Sequence, residues 1–272
     1  MSKYTFEKGS SRFFKVLKQR VDRYFVENEL HPAGNEKLFR KGVIQILCSI
    51  TIYVVLVLFT PSTIVSLALC IVQGISLAVI GFNVMHEGGH QTFSRHGHIN
   101  SACAFFLNVL GGNAYFWKIK HNINHHTYTN IEGMDSDIDV KPFMRLHQDQ
   151  PWRWYHRFQH VYWIVLYAIS YLAWIFYEDF QKYFSGRISV NSERKPLPLK
   201  EHFIFWFTKI LFVLVYMVIP IMFVGVVAWV IGFLIITMIC GLTTSIVFQL
   251  AHVVEGTEFH SVEAAKGRKY EW

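Results

Sequence analysis

Charged side chains are scarce in this sequence. Asp, Glu, Lys and Arg make up 17% of the 272 residues, against about 25% in a typical soluble domain. Apolar residues make up 52%, and a single soluble core would leave much of that surface in water. The four cysteines form no CxxC pair, and three lie in apolar stretches, so we expect reduced packing residues rather than disulfides. The composition therefore favours a membrane protein.

Two long stretches, 42–85 and 210–253, contain no Asp, Glu, Lys or Arg. About 20 apolar residues cross a bilayer as a helix, so each stretch is long enough for two crossings. Pro61 interrupts the first stretch near its middle, and Pro220 and Gly225 interrupt the second. The sequence thus predicts an all-α integral membrane protein with four transmembrane helices arranged as two hairpins.

The basic residues lie outside both stretches, and Lys209, which borders the second, is expected to extend its ammonium outward. The net charge of +7 is divided by the apolar stretches, which indicates anionic lipid headgroups rather than nucleic acid as the partner. With four crossings all basic residues fall on one side, which the positive-inside rule makes cytosolic.

The aromatic segment 161–177 is long enough to cross but also fits a helix at the interface. A crossing there would carry His252 to the face opposite the other histidine clusters, so we predict an interfacial helix. The predicted regions are a basic cytosolic N-terminal region (1–41), hairpin 1 (42–85), a cytosolic cap with histidine clusters and interfacial helices (86–209), hairpin 2 (210–253) and the start of a cytosolic C-terminal region (254–272).

Fourteen histidines are many for this length, and six of them are clustered. The clusters are His86 and His90, then His121, His125 and His126, then His252. Residues i and i+4 share a face of a helix, so within each of the first two clusters two imidazoles can reach one metal. Clustered neutral imidazoles favour a borderline transition metal over calcium or magnesium. The alternative for any one cluster is a set of polar side chains at the headgroup level.

His156 and His160 repeat the i, i+4 spacing and fit either a role near the metal site or interfacial anchoring beside neighbouring tryptophans. The remaining histidines have no such spacing and are predicted to lie on the surface (His31, His96, His98, His147, His202 and His260).

HEGGH after the second predicted crossing, followed some thirty residues later by HNINHHTYTN, resembles the first two histidine boxes of the membrane-bound fatty acid desaturases. FQLAHVVEG resembles the segment of that family that carries a further ligand histidine, and the similarity includes IEGMDSDID and YHRFQHVY. The resemblance runs from about residue 39 to the C-terminus.

The resemblance implies a non-haem di-iron enzyme that uses molecular oxygen and two electrons to introduce a double bond into a fatty acyl chain. The six clustered histidines would ligate two iron ions, Gln249 would hold a metal-bound water, and Trp117 would line an acyl tunnel or anchor the cap at the interface. The substrate would be an acyl-CoA or an acyl-lipid, and the electron donor a separate ferredoxin or b-type cytochrome with its reductase. The membrane would be the bacterial inner (cytoplasmic) membrane or the endoplasmic reticulum, with the histidine boxes on the cytosolic side.

The family pattern includes a third box, HxxHH or QxxHH, after the last crossing. No adjacent histidine pair follows His126, and the sequence ends in KYEW. We therefore expect a chain truncated before the third box, with an incomplete di-iron site and little turnover alone.

Three other hypotheses remain open. A related di-iron hydroxylase or oxidase would use the same ligands. HEGGH also matches HExxH, in which two histidines bind zinc and Glu87 would be the general base of a membrane metalloprotease, although that reading leaves HNINHH unexplained. A transport or scaffold role, with histidines that serve only as interfacial side chains, is a third and weaker reading.

Overall fold

The structure is a computed structural model that describes residues 12–138, 140–189 and 193–261, and these are mostly helical. The predicted C-terminal truncation and most of the region 254–272 lie outside the described residues. The helices are α1 (Arg12–Glu27), α2 (Glu36–Phe59), α3 (Thr63–Gly89), α4 (Gly97–Val109), α5 (114–128), α6 (Trp154–Ser185), α7 (Leu199–Val224) and α8 (Val226–His252). Two short strands, β1 (Ile131–Glu132) and β2 (His260–Ser261), pair in parallel.

Among the described residues, five helices are long and apolar enough to cross a membrane: α2, α3, α6, α7 and α8. Four of them cover the two uncharged stretches for which we predict crossings. The fifth, α6, contains the aromatic segment that we assigned to the interface, and its apolar window of 18 residues has the lowest mean hydropathy of the five. The chain is therefore a helical membrane protein with five candidate spans.

The breaks within both hairpins occur close to the predicted positions. Helix α2 ends at Phe59, and Thr60, with φ 41°, turns the chain into Pro61. Between α7 and α8 the turn is made by Gly225, with φ 79°, a left-handed conformation that glycine adopts without strain. Pro220 lies inside α7, in the first turn after a π-helical segment, so it does not end the helix.

Small residues let α8 pack closely against α3 and α6. A Cβ added to Gly74 of α3 would lie 2.6 Å from the carbonyl oxygen of Ile236. A Cβ added to Gly241 of α8 would lie 2.5 Å from the carbonyl oxygen of Ala168 in α6. Helices associate in membranes largely through such close packing, because lipid provides little hydrophobic driving force between them. This packing fixes the ends of α3 and α8, which carry His86 and His252.

Lys209 is not directed outward, so that prediction was wrong. Its ammonium is buried and donates to the carbonyl oxygens of Gly111 (2.6 Å) and Ile175 (2.8 Å) and to Asp179 Oδ2 (3.1 Å). Two carbonyl acceptors and a neutralising carboxylate offset the cost of removing the ammonium from water. The residue joins α7 to α6 and to the turn after α4.

The cysteine prediction is confirmed in the sense that all four are free, and Cys70, Cys103 and Cys240 are buried packing residues. Cys48 is exposed on α2.

Candidate metal centre

The first two histidine clusters lie on helical segments with the predicted shared faces. At the end of α3 the amide of His90 donates to the carbonyl oxygen of His86 (3.0 Å), and the two rings lie 4.6 Å apart. In α5 the rings of His121 and His125 are stacked at 5.1 Å. Each cluster is reached through a π-helical segment, Gly81–His86 in α3 and Ile119–His125 in α5. Such segments are common at functional sites, because the wider turn changes the direction of the side chains.

The structure brings the three clusters together. The His86 and His121 rings lie 4.8 Å apart, the His90 and His126 rings 4.7 Å apart, and the His125 and His252 rings 4.6 Å apart. All six clustered histidines therefore belong to one contiguous group, and the end of α8 is on the same side as the end of α3.

The donor atoms fit a metal site. One nitrogen each from His86, His90 and His121 lie within 4.8 Å of one another, and the same holds for donor atoms of His121, His125 and Asp137. The Nε2 atoms of His121 and His126 are 3.3 Å apart. Two nitrogens bound to one metal at bond lengths of about 2.1 Å and angles of 90–109° would lie about 3.0–3.4 Å apart. The spacing of His121 and His126 is thus that of two ligands of one metal, and His121 belongs to both groups.

Asp135, to which the sequence analysis assigned no role, orients one of the histidines. His125 Nδ1 donates to both oxygens of Asp135, at 2.9 and 3.0 Å, and Asp135 is almost fully buried. This contact fixes the protonated nitrogen of His125 and leaves Nε2 as the ligand atom. His252 is set in the same way, because its Nδ1 donates to the carbonyl oxygen of Phe248 (2.8 Å). The stretch IEGMDSDID, which contains Asp135, was the available sequence signal.

Asp137 supplies negative charge next to the cluster. Its Oδ1 lies 2.8 Å from the ammonium of Lys120, and its Oδ2 lies 3.6 Å from His121 Nδ1 and 3.7 Å from His125 Nδ1. Burial alone would raise the pKa of Asp137, but the Lys120 charge and the contacts with His121 lower it well below its usual range. Burial alone would likewise lower the pKa of Lys120, but the Asp137 and Glu178 carboxylates raise it. The pair is therefore ionised at neutral pH.

Three histidines of the cluster have lowered pKa values, which favours their neutral form. Desolvation lowers the pKa of His90, and the neighbouring His126 lowers it further. Desolvation also lowers the pKa of His121, although Asp137 opposes the shift, and it lowers that of His126 together with the charges of His121 and His125. A neutral imidazole is the form that binds a metal, so burial prepares these side chains as ligands.

Trp117 contacts the histidine cluster, and Gln249 lies one turn before His252. Trp117 is half-buried, stacks on the ring of His121 at 4.6 Å, and lies 5.4 Å from the ring of His86. Gln249, on the last turn of α8 before His252, has a buried Oε1 without a hydrogen-bond partner among the described residues. Such an oxygen is suited to a water or a metal-bound group.

His156 and His160 lie away from the cluster. The ring of His156 donates to the carbonyl oxygen of Pro142 (3.0 Å) and accepts from the amide of Arg153 (3.1 Å), while His160 is exposed. The placement of His147 on the surface was wrong: its side chain is 4% exposed and stacks on Phe259 at 4.5 Å.

The position of the Glu87 carboxylate gives little support to the zinc-protease hypothesis. Its Oε2 accepts a hydrogen bond from Thr92 Oγ1 (2.6 Å), and the residue lines a groove of about 420 Å³ with Lys37 and Lys41. Neither group of potential ligand atoms includes Glu87. A general base in HExxH chemistry must reach a metal-bound water, and here the carboxylate is engaged elsewhere.

Apolar helices that bring three histidine clusters together define the chain as a histidine-rich membrane protein with a candidate metal centre. Its sequence matches the family model described as fatty acid desaturase over residues 62–267. The chain therefore belongs to the fatty acid desaturase family.

Named relatives agree with this assignment. The chain is 34% identical to an sn-1 linoleoyl-lipid 6-desaturase from Arthrospira platensis over 95% of its own length and 70% of the relative. It is 31% identical to the protein of that name from Synechocystis sp., over 97% of the chain and 73% of the relative. It is 30% identical to an acyl-lipid (8-3)-desaturase from Physcomitrium patens over 93% of the chain, but spans only 54% of that protein. No solved structure shows significant similarity to the chain.

Proposed function

We propose that this chain forms the metal-binding membrane part of an oxygen-dependent fatty acyl desaturase, with a di-iron centre held by the six clustered histidines. The observation that carries the proposal is the convergence of imidazoles from α3, α5 and α8, supported by a ligand spacing that fits a metal. When bound, the iron would supply the oxidising power needed to remove hydrogen from unactivated methylenes, for which side-chain acids and bases are too weak.

The chain's own residues would hold and shield that centre. Asp135 and the carbonyl oxygen of Phe248 orient His125 and His252 through their Nδ1 atoms. His121 and His125 are 4% and 1% exposed, so bulk water is kept from this part of the site. Trp117 covers His86, His90 and His121 on one side and is the residue through which the bound acyl chain would contact the cluster.

The substrate we favour is an acyl chain esterified to a membrane lipid. The relatives named above act on acyl-lipids, as their names state. A lipid-borne chain can reach the site from the bilayer, which surrounds the exposed apolar faces of the helices. The electron donor would be a separate protein, a ferredoxin or a b-type cytochrome with its reductase.

For the topology we propose four crossings, with α6 at the cytosolic interface and the metal centre on the cytosolic side. Both ends of α6 interact with polar groups in residues 120–142, the segment that contains the second histidine cluster and continues beyond it. At one end His156 bonds to Pro142 (3.0 Å), and at the other the charge of Glu178 acts on Lys120. The distribution of basic residues supports the same arrangement.

The test is a fatty acid profile coupled to a metal count. The chain would be joined to a C-terminal segment that carries a third histidine box of the family, expressed in a host with its own electron donors, and compared with its His121→Ala and His98→Ala variants. His121 belongs to both potential ligand groups, whereas His98 is exposed and outside them. We expect a new double bond in host lipids and two irons per chain, lost in His121→Ala and retained in His98→Ala. A single zinc, or iron loading without a new double bond, would contradict the proposal.

A further inference from the structure

Asn130 lies between the second histidine cluster and the end of α8. Its amide donates to Asp135 Oδ2 (3.1 Å), the carboxylate oxygen that also accepts from His125. Its side-chain Nδ2 donates to the carbonyl oxygen of His252 (3.4 Å). Its own carbonyl oxygen accepts from the amide of His260 (3.1 Å), which extends the pairing of β1 with β2. Asn130 thus contacts the backbone of one candidate ligand, His252, and the carboxylate that holds another, His125. The two ligands come from distant parts of the chain.

The backbone of Asn130 explains why one residue can do this. Its φ is 60°, in the left-handed region that asparagine adopts more readily than most residues. The turn directs its N–H toward Asp135 and its carbonyl oxygen toward β2. The residue is also buried, with 9% exposure, so water competes little for these bonds.

The hydrogen bond to His252 lies at the C-terminal end of α8. His252 is the last residue of that helix, and the last four carbonyl groups of a helix have no partner within it. The bond from Asn130 supplies one and ties the end of α8 to the segment that follows the second cluster. Without it, the His252 ring would be positioned relative to His125 only by packing and by the bond from its own Nδ1 to Phe248.

We infer that Asn130 is a positioning residue that sets the distance between His252 and His125 in the metal centre. The inference rests on the proposed function, because it concerns the geometry of that metal site. Asn130 acts through His252 and through the carboxylate of Asp135, and changing it should alter metal binding through His252.

Asn130→Gly isolates the side-chain contact. Glycine tolerates the left-handed backbone and keeps the amide bond to Asp135, so only the bond to His252 is removed. Asn28→Gly is the matched control, because Asn28 also donates from Nδ2 to a backbone carbonyl oxygen (Tyr24, 2.7 Å), but on the exposed end of α1. The measurement is a titration of the purified chain in lipid nanodiscs with Co²⁺, followed by visible absorption, with thermal unfolding of the metal-free protein recorded in parallel.

We expect Asn130→Gly to weaken Co²⁺ binding by about tenfold, as loss of outer-shell support does at other metal sites, and Asn28→Gly to bind as the unaltered chain. In a His252→Ala background, adding Asn130→Gly should change affinity by less than about twofold, because the path through His252 is already broken. Should Asn130→Gly fail to fold, Asn130→Asp carries the same test, since aspartate tolerates the same backbone but cannot donate.

Unaltered affinity in Asn130→Gly, or an equal loss with and without His252, would overturn the inference and leave the metal centre standing. Absence of Co²⁺ binding by the unaltered chain would instead overturn the metal centre, and the inference with it.

Discussion

The replacement Asp135→Asn tests how the metal centre is oriented. Each carboxylate oxygen of Asp135 faces N–H donors: Oδ1 accepts from the amide of Asp137 (2.9 Å), Oδ2 accepts from the amide of Asn130 (3.1 Å), and both accept from His125 Nδ1. Asparagine has one acceptor oxygen and one NH₂ group. In either orientation the NH₂ group would meet an N–H donor, so at least one buried donor loses its acceptor.

The magnitude follows from burial. Asp135 is 1% exposed and the side chain of His125 is 1% exposed, so water cannot replace the lost partner. A buried donor left without an acceptor costs about 1–3 kcal/mol. His125 would also be free to turn or to change the nitrogen that carries its proton, and loss of such a carboxylate at other sites weakens metal binding by about 10–100-fold.

The assay compares Asp135→Asn with the unaltered chain and with Asp149→Asn. Asp149 is the matched control, because its side chain is 62% exposed. We expect a lower unfolding temperature without metal and at least tenfold weaker Co²⁺ binding for Asp135→Asn, with no such change for Asp149→Asn. Binding and stability equal to those of the unaltered chain would refute the assignment of Asp135 as the residue that orients His125.

Three further predictions concern packing, charge and pH. Gly89→Ala would place a Cβ 2.2 Å from the ring of Trp117. We therefore expect the free energy of unfolding to fall by about 1–3 kcal/mol and tryptophan fluorescence to change. A Cβ at Gly97 would have no neighbour nearer than 4.0 Å, so Gly97→Ala should behave as the unaltered chain. Lys209→Met leaves Asp179 buried and unpaired, which should lower the free energy of unfolding by about 3–5 kcal/mol. Thermal melting should show this loss of stability. The double variant with Lys209→Met and Asp179→Leu should recover most of the lost stability. The lowered pKa values in the histidine cluster mean that below about pH 6.5 the unfolded chain binds more protons than the folded one. Stability without metal should therefore fall from pH 7.5 to pH 5.5 and stay level above pH 7.5, and a flat melting profile across the acid range would contradict this.

Much of the candidate site could be predicted from the sequence because its signal is local. Histidines at i and i+4 share a helix face whatever the tertiary fold, so the pairing of His86 with His90 and of His121 with His125 depends on helical geometry. The side of the membrane on which His252 lies was predicted from four crossings, and that count stays a prediction, because the described residues contain five candidate spans. Two uncharged stretches, interrupted by Pro61 and by Pro220 and Gly225, were enough to predict where the chain turns between the helices of each pair.

The features that were missed depend on contacts between distant segments. Lys209 was assigned to the lipid boundary because its sequence neighbours are apolar, yet its partner Asp179 lies on another helix. His147 has no spacing motif, and its burial against Phe259 arises only when β2 returns to β1. The role of Asp135 depends on a turn that folds it back onto His125. Such pairings are set by tertiary packing, on which local sequence patterns carry little information.

The glycine pair of HEGGH shows how the same residues can be read in opposite ways. Each glycine lowers helix stability by about 1 kcal/mol relative to alanine, which in the sequence counted against a metalloprotease helix. In the structure a Cβ on Gly88 would lie 2.5 Å from the Cβ of Cys103 in α4, and Gly89 leaves room for Trp117. The carbonyl oxygen of Gly89 then accepts a bond from Asn122 Nδ2 (2.8 Å), which joins the first cluster to the second. The absence of side chains at these two positions therefore costs helix stability locally but lets two further segments approach the end of α3 closely enough for the histidines to meet.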